Sequence, residues 1–444
     1  MYSLPRWTVS IRDFGRIKSA DVTLAPLTVL VGRNNTGKSY VASLLWGLLN
    51  PERILFPREI PTDDVYKMCD KAIAEAVLTA KEERSSTVLV VDPFVNWLNQ
   101  LLGLRSSSFL SAVFSYPGLD AGLELLQVAP PHQRVVIKND PDDNWGSFFG
   151  ADEFVLNIAV SDLDVDWKRY RVISSIAHML LTGSPWADIG VNGSIYVPAG
   201  RSGLALTLPA VIDKALGKAF GGETAEGPVF PLPLLGFLRL MAARSASVPD
   251  GTGEPVARFI EKEIMGGRFE RTKPDSTLFQ FQPDGGITPM PLHAASSLVS
   301  ELGPLAEVLS RTQFSTIIIE EPEAHLHLEA QMAMARACAR LVSSGVRVVV
   351  TTHSDTFLQY LNNLMMLHDH PRREEFMRRW DLSEEDVIDP ANALGYEFEC
   401  PDGSTVVKDM TKGAAGFEPA TMNSLLRDLT LMTRDLLADQ DDEE

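Results

Sequence analysis

Three short aliphatic and β-branched runs, each ending abruptly in polar or glycine-rich sequence, frame this chain. Residues 27–31 (LTVLV) run into GRNNTGKS, residues 316–319 (TIII) into Glu320, Glu321 and Pro322, and residues 346–350 (VRVVV) into Thr351, Thr352 and His353. Short apolar runs bounded by turn signals predict strands buried on both faces, as in a parallel sheet covered by helices. Residues 40–49 carry apolar side chains at helical spacing, and Leu298, Leu302, Leu305 and Leu309 fall on one helical face. Residues 276–292 (STLFQFQPDGGITPMPL) predict a hairpin turning at 284–286, and residues 203–267 predict helices broken by proline and glycine turns. Residues 62–83 and 169–183 add helical and mixed patterns without the sustained heptads of a long coiled coil.

The first run carries the most specific chemistry. Gly32, Arg33, Asn34, Asn35, Thr36, Gly37, Lys38 and Ser39 fit G-x-x-x-x-G-K-[ST], and the pattern sits between a strand and a helix as it requires. Gly32 and Gly37 allow a tight turn whose N–H groups face a polyphosphate, and the following helix N-terminus favours anions. Lys38 is expected to reach the β- and γ-phosphates of ATP, the Ser39 hydroxyl to ligate Mg²⁺, and Tyr40 to complete the ATP-binding segment.

Two adjacent carboxylates at a buried strand end need a cation, a water to orient, or both. In P-loop NTPases a strand adjacent to the glycine-loop strand ends in an acid that holds the Mg²⁺ water shell, and a second acid orients the attacking water. Glu320 is assigned the first role, through water, and Glu321 the second. Open α/β sheets bind ligands at the carboxyl ends of their strands, so His353 is expected in the same crevice. His325 and His327, with Glu323, are two apart and shape the turn after the acid strand rather than a metal site. Arg201 either faces phosphate or bridges acids. Gln133, Gln280 and Gln282 lack a decisive context.

Composition narrows the partners. The 444 residues are long enough for two to three domains, and 45% hydrophobic content is ordinary for a globular chain. A formal net charge of -19 argues against a surface built to coat nucleic acid, though not against a local basic groove. The basic clusters at 12–18 and 371–380 are short, and the second is interleaved with Glu374 and Glu375 as on a solvated helix face. Cys69, Cys338 and Cys400 are far apart without ligand spacing, and no apolar stretch approaches a membrane span or a secretory signal. A cytoplasmic protein is expected, with no membrane partner and a frayed acidic tail.

The glycine loop, the strand ending in EEPEAHLH and the segment VVVTTHS together resemble the ABC-type ATPase domain of the OLD and SMC-like ATPases, a group that includes many AAA-type ATPases of bacterial antiviral systems. Residues 9–39 resemble that family's N-terminal hairpin leading into the loop, and residues 195–204 (IYVPAGRSGL) its Y-x-P-A-x-R-S-G segment. Residues 293–309 occupy the place of the signature helix. In that family such a helix N-terminus touches the γ-phosphate bound by the other subunit, which would give Ser296 and Ser297 a role in trans; an ordinary helix cap explains the same serines. Arg12 and Phe14 would approach the adenine by analogy. Fewer than about 100 residues follow His353 and no D-x-D pair matches a Toprim site, so no nuclease is expected in this chain.

The expectation is therefore an α/β P-loop NTPase head of ABC type, with a mixed β-sheet flanked by helices. The head is split over 1–50 and 190–370, with a mostly helical inserted subdomain at 51–189 and a C-terminal extension at 371–444. Its activity would be Mg²⁺-dependent ATP hydrolysis that assembles a homodimer or higher homo-oligomer and controls a separate effector protein in an antiphage system. Two other readings stay open: an ATPase that clamps duplex DNA, and a nucleotide-gated scaffold with little turnover.

Overall fold

A computed structural model describes residues 4–82, 86–129, 134–139, 146–149, 153–158, 166–183, 193–221, 230–243, 251–273, 276–286, 288–413, 416–420, 430–432 and 434. Each of the three apolar runs is a strand of one nine-stranded sheet: Leu27–Gly32, Thr316–Glu320 and Arg347–Thr352, all fully buried. From edge to edge the sheet runs Gly122–Ala129, Arg6–Phe14, Ile17–Thr23, Thr405–Asp409, Ala393–Glu399, Leu27–Gly32, Arg347–Thr352, Thr316–Glu320 and Ser194–Val197. The last five are mutually parallel, while antiparallel pairs join Arg6–Phe14 to both its neighbours and Ala393–Glu399 to Thr405–Asp409. The result is a mixed α/β sheet, parallel through its centre and antiparallel toward one edge.

The two-residue period of the strands divides the core into two layers. Leu30, Ile318 and Val349 point into one apolar cluster with Trp7, Trp97 and Leu180, whereas Val29, Ile317, Ile319, Val348 and Val350 point into the other with Leu302, Leu305 and Phe357. Each buried aliphatic side chain stabilises the fold by about 1.5–3 kcal/mol, which is why uninterrupted apolar runs form central strands. The helix Lys38–Leu48 leaves the glycine loop and packs on Asp92–Phe114 so closely that a Cβ on Gly47 would lie 2.6 Å from Val113 Cγ2.

Several arrangements differ from the sequence expectation. The acid strand is not adjacent to the glycine-loop strand: Arg347–Thr352 stands between them and pairs with both. The sheet also reaches beyond 1–50 and 190–370. Ala393–Glu399 and Thr405–Asp409 insert between the loop strand and the N-terminal hairpin, and Gly122–Ala129 adds an edge. The 51–189 region, read from the sequence as helical and mixed, carries a further sheet, Ser86–Val88, Arg134–Asn139, Glu153–Ile158 and Gly146–Phe149 in that order, beside its helices. Pro304 lies inside the helix Ser297–Arg311. The hairpin forms as expected, with Phe279–Pro283 pairing Met290–Pro291 across a turn in which Gly285 and Gly286 have φ of 82° and 78°. Among the described residues no helix is long and apolar enough to cross a membrane.

Candidate nucleotide site

Register places the chemistry at one edge. Thr352 pairs with Val31, and Thr351 pairs with Glu320, so the acids, His353 and Gly32 all leave the carboxyl ends of neighbouring parallel strands. The loop there is tightly held. Gly32 has φ 154°, and a Cβ on it would lie 2.7 Å from the Phe398 carbonyl oxygen, closer than real Cβ atoms approach. Gly37 at φ 98° and Asn35 at φ 62° turn the loop, and Thr36 Oγ1 donates to the Arg33 carbonyl at 2.8 Å. Arg33, Asn34, Asn35, Ser39 and Tyr40 are exposed at the mouth.

Lys38 is buried, and its ammonium donates to the carbonyls of Gly32 at 2.6 Å and Arg33 at 2.8 Å. Burial pushes it below the usual lysine range, and the carboxylates of Glu321, Glu323 and Glu320 oppose that shift. The loop lysine and the acids after Thr316–Glu320 therefore share one electrostatic environment although they come from opposite ends of the sequence.

The two adjacent acids are held differently. Glu320 is 7% exposed and accepts from the Ala199 amide at 3.3 Å, with the buried Tyr196 hydroxyl beside it. Burial, reinforced by the Glu320 carboxylate, holds the Tyr196 phenol well above its ordinary range. Glu321 has φ 42°, a left-handed conformation unusual for a non-glycine residue, and its amide donates to Thr351 O at 2.9 Å and Thr351 Oγ1 at 3.2 Å. Its partly exposed carboxylate lies 3.4 Å from His353 Nδ1. Glu323 is buried and accepts from Thr352 Oγ1 at 2.6 Å and from the His353 amide at 3.0 Å, fixing the backbone that presents the histidine. The exposed hydroxyl of Ser39 and the Glu320 carboxylate are hard oxygen donors of the kind Mg²⁺ takes, beside a loop with room for backbone but not for a Cβ; the residues present fit a Mg-nucleotide.

Ser296 caps the helix Ser297–Arg311 by accepting from the Val299 amide at 3.4 Å, and both serines are exposed. The cap is real, and exposure leaves the serines free to meet a second ligand. Leu302, Leu305 and Leu309 are fully buried, with Leu298 partly so. Arg201 does not face a phosphate here. Its guanidinium is fully buried and donates to the carbonyls of Glu301 at 3.0 Å, Glu320 at 3.1 Å and Glu321 at 3.3 Å, with the Glu301 carboxylate 3.4 Å away.

Phe14 is fully buried, so it supports Tyr40 at a ring separation of 5.6 Å rather than meeting a base itself, while Arg12 is paired to Asp21 at 2.9 Å. His325 and His327 are exposed on either side of buried Leu326, with His325 Nε2 3.9 Å from the Glu301 carboxylate. Gln280 donates to Glu270 and Gln282 to the Pro283 carbonyl on the small hairpin; Gln133 lies outside the described residues. Sequence reasoning missed Glu323 and Glu301 as parts of the site. Glu301 was detectable: it falls on the same face as Leu298, Leu302 and Leu305, and an acid inside an apolar stripe demands a buried cation.

A protein-family model described as an AAA ATPase domain matches residues 8–91 and 291–358, the two segments that hold the glycine loop and the acid and histidine strands. The chain has no match among curated proteins. Solved structures similar to it include an SMC head bound to the C-terminal winged-helix domain of ScpA, 13% identical, with 91% of this chain and 98% of that one covered at a TM-score of 0.37. The SMC head domain from Thermotoga maritima is 12% identical over 93% of this chain and 100% of that one at a TM-score of 0.35. The Smc head domain with an extended coiled coil from Pyrococcus furiosus, bound to the C-terminal domain of ScpA, is 13% identical over 97% of this chain and 100% of that one at 0.33. The matched segments support an ATP-binding ATPase domain built on the loop, acid and histidine arrangement.

Proposed function

We propose that this ATPase domain hydrolyses Mg-ATP to ADP and phosphate, and that two copies complete the site by closing over their nucleotides. The observation that carries the reading is the shared environment of Lys38, Glu320, Glu321 and His353 at one carboxyl edge of the sheet. Loop amides and Lys38 hold the β- and γ-phosphates, displacing the Lys38 ammonium from its loop carbonyls. Ser39 and Glu320 would hold Mg²⁺, the latter through water. Bound there, Mg²⁺ would supply neutralising charge for the phosphates. Glu321 orients the attacking water, and His353 donates to the γ-phosphoryl group while its backbone is fixed by Glu323.

The exposed serines at the start of Ser297–Arg311 support the assembly part of the reading, because free N–H groups and hydroxyls at a helix N-terminus favour an anion brought by a second copy. The sequence resemblance supports a homo-oligomer that controls a separate effector protein in a cytoplasmic antiphage system. The test is the steady-state Mg-ATP hydrolysis rate with and without linear duplex DNA. A rate indifferent to DNA supports a partner-gated ATPase. A several-fold, salt-sensitive rise with DNA would transfer the function to a duplex clamp, and no turnover above a Glu321→Gln blank would leave a nucleotide-gated scaffold.

A further inference from the structure

Arg201 has a position that nucleotide contact does not explain. It opens the helix Arg201–Gly221 just after Ser194–Val197, the strand that pairs with the acid strand at Ile319↔Val197. With no exposed surface, it spreads its donors over four carbonyls from three segments. Nε donates to Glu301 at 3.0 Å; Nη1 donates to Glu320 at 3.1 Å, Glu321 at 3.3 Å and Pro198 at 3.4 Å; Nη2 donates to Glu321 at 3.4 Å. The neighbouring Ser202 hydroxyl donates to Glu301 Oε1 at 2.6 Å, so two consecutive residues grip one residue of the serine-led helix.

The two ends of this bridge matter. Glu301 stands one helical turn after Ser297, which the proposed assembly brings to the nucleotide of a second copy. Glu321 carries the water-orienting carboxylate, and its backbone is fixed from both sides: Thr351 holds the amide and Arg201 holds the carbonyl, around a φ of 42°. A residue in that region persists only while its surroundings over-determine it, so a change in either hold re-aims the side chain. Burial pushes the Arg201 guanidinium below its usual range and Glu301 is the acid that chiefly opposes this, which ties the two together.

We propose that Arg201 is a positioning residue that transmits engagement of Ser296 and Ser297 by a second copy's nucleotide, through Glu301, to the backbone of Glu321. This rests on the ATPase reading above. A planar guanidinium is needed because one rigid fork must satisfy both the helix carbonyl and the two acid carbonyls; an ammonium has the charge but not the span. A purely structural pin would stabilise the fold without distinguishing bound nucleotide from hydrolysed nucleotide.

The experiment compares wild type with Arg201→Lys, Glu301→Gln, Ser297→Ala and the double variant Ser297→Ala/Arg201→Lys. It measures kcat, KM for ATP, binding of a fluorescent ATP analogue, and thermal melting. Arg201→Lys is expected to lower kcat about tenfold or more while the analogue binds within about threefold of wild type. Glu301→Gln, which keeps the helix carbonyl, should lower kcat by a smaller factor. The double variant should be hardly slower than Arg201→Lys alone, because both changes cut one path. Unchanged kcat in Arg201→Lys, equal losses of kcat and analogue binding, or full multiplicativity in the double variant overturns the relay. If Arg201→Lys melts early, the Glu301→Gln and Ser297→Ala pair carries the same non-additivity test. A wild type no faster than Glu321→Gln would instead overturn the underlying ATPase reading, a separate outcome.

Discussion

Glu321 has a constraint that a solvated strand end does not: left-handed backbone, an amide tied to Thr351 and a carbonyl tied to Arg201, with its carboxylate 3.4 Å from His353 Nδ1. Such a conformation costs about 1–3 kcal/mol and marks a place where geometry outweighs stability. At the same scale Gly32 is irreplaceable. Gly32→Ala would drive a Cβ into the Phe398 carbonyl at 2.7 Å, and we predict that calorimetric titration finds ATP-analogue binding lost with a stability decrease of about 1–3 kcal/mol. Chelation is the complementary test: EDTA should abolish turnover and restored Mg²⁺ should recover it, whereas turnover in EDTA would remove Ser39 and Glu320 from the roles given them. The loop glycines, Lys38 and the acid pair were legible because spacing in the chain sets their local geometry. The orientation of Arg201 was not, since its partners lie 100 to 120 positions away.

At the scale of elements, the helix Ser297–Arg311 sets a buried leucine face against an exposed serine end. Its leucine face was readable from periodicity and is buried as expected; its serine end is exposed. Pro304 is tolerated inside the helix and Gly303 packs against Phe269, where an added Cβ would lie 2.2 Å from the ring. Sequence alone cannot weigh a proline's lost hydrogen bond against such packing. Leu305→Ala removes a fully buried side chain, and chemical denaturation should show a loss of about 2–5 kcal/mol with an unchanged m-value; a loss under about 1 kcal/mol would mean that this helix is not anchored as described. The acid strand's true neighbour was illegible for a related reason. A buried parallel strand reads the same wherever it stands in the sheet, and only pairing places Arg347–Thr352 between the acids and the loop.

For the whole molecule, the sheet closes through strands from remote parts of the chain. Ala393–Glu399 pairs with Leu27–Gly32 along six residues, and Phe398 forms the wall against which Gly32 turns. Truncation before Ala393 should therefore damage the nucleotide site itself as well as the periphery: we predict a chain without cooperative thermal unfolding and without nucleotide binding. A truncated chain that still bound ATP analogue with wild-type affinity would show that these strands are dispensable. Their patterns, ALGYEFE and TVVKD, are short and interrupted by polar residues, so composition placed them in an extension rather than in the central sheet.

The central claim is that Glu321 orients water at a site whose nucleotide is held by other residues. The most direct measurement pairs ATP-analogue affinity with single-turnover hydrolysis in wild type and Glu321→Gln. The arrangement predicts affinity within about threefold of wild type and hydrolysis slower by about 100-fold or more. Hydrolysis at the wild-type rate in Glu321→Gln would contradict it.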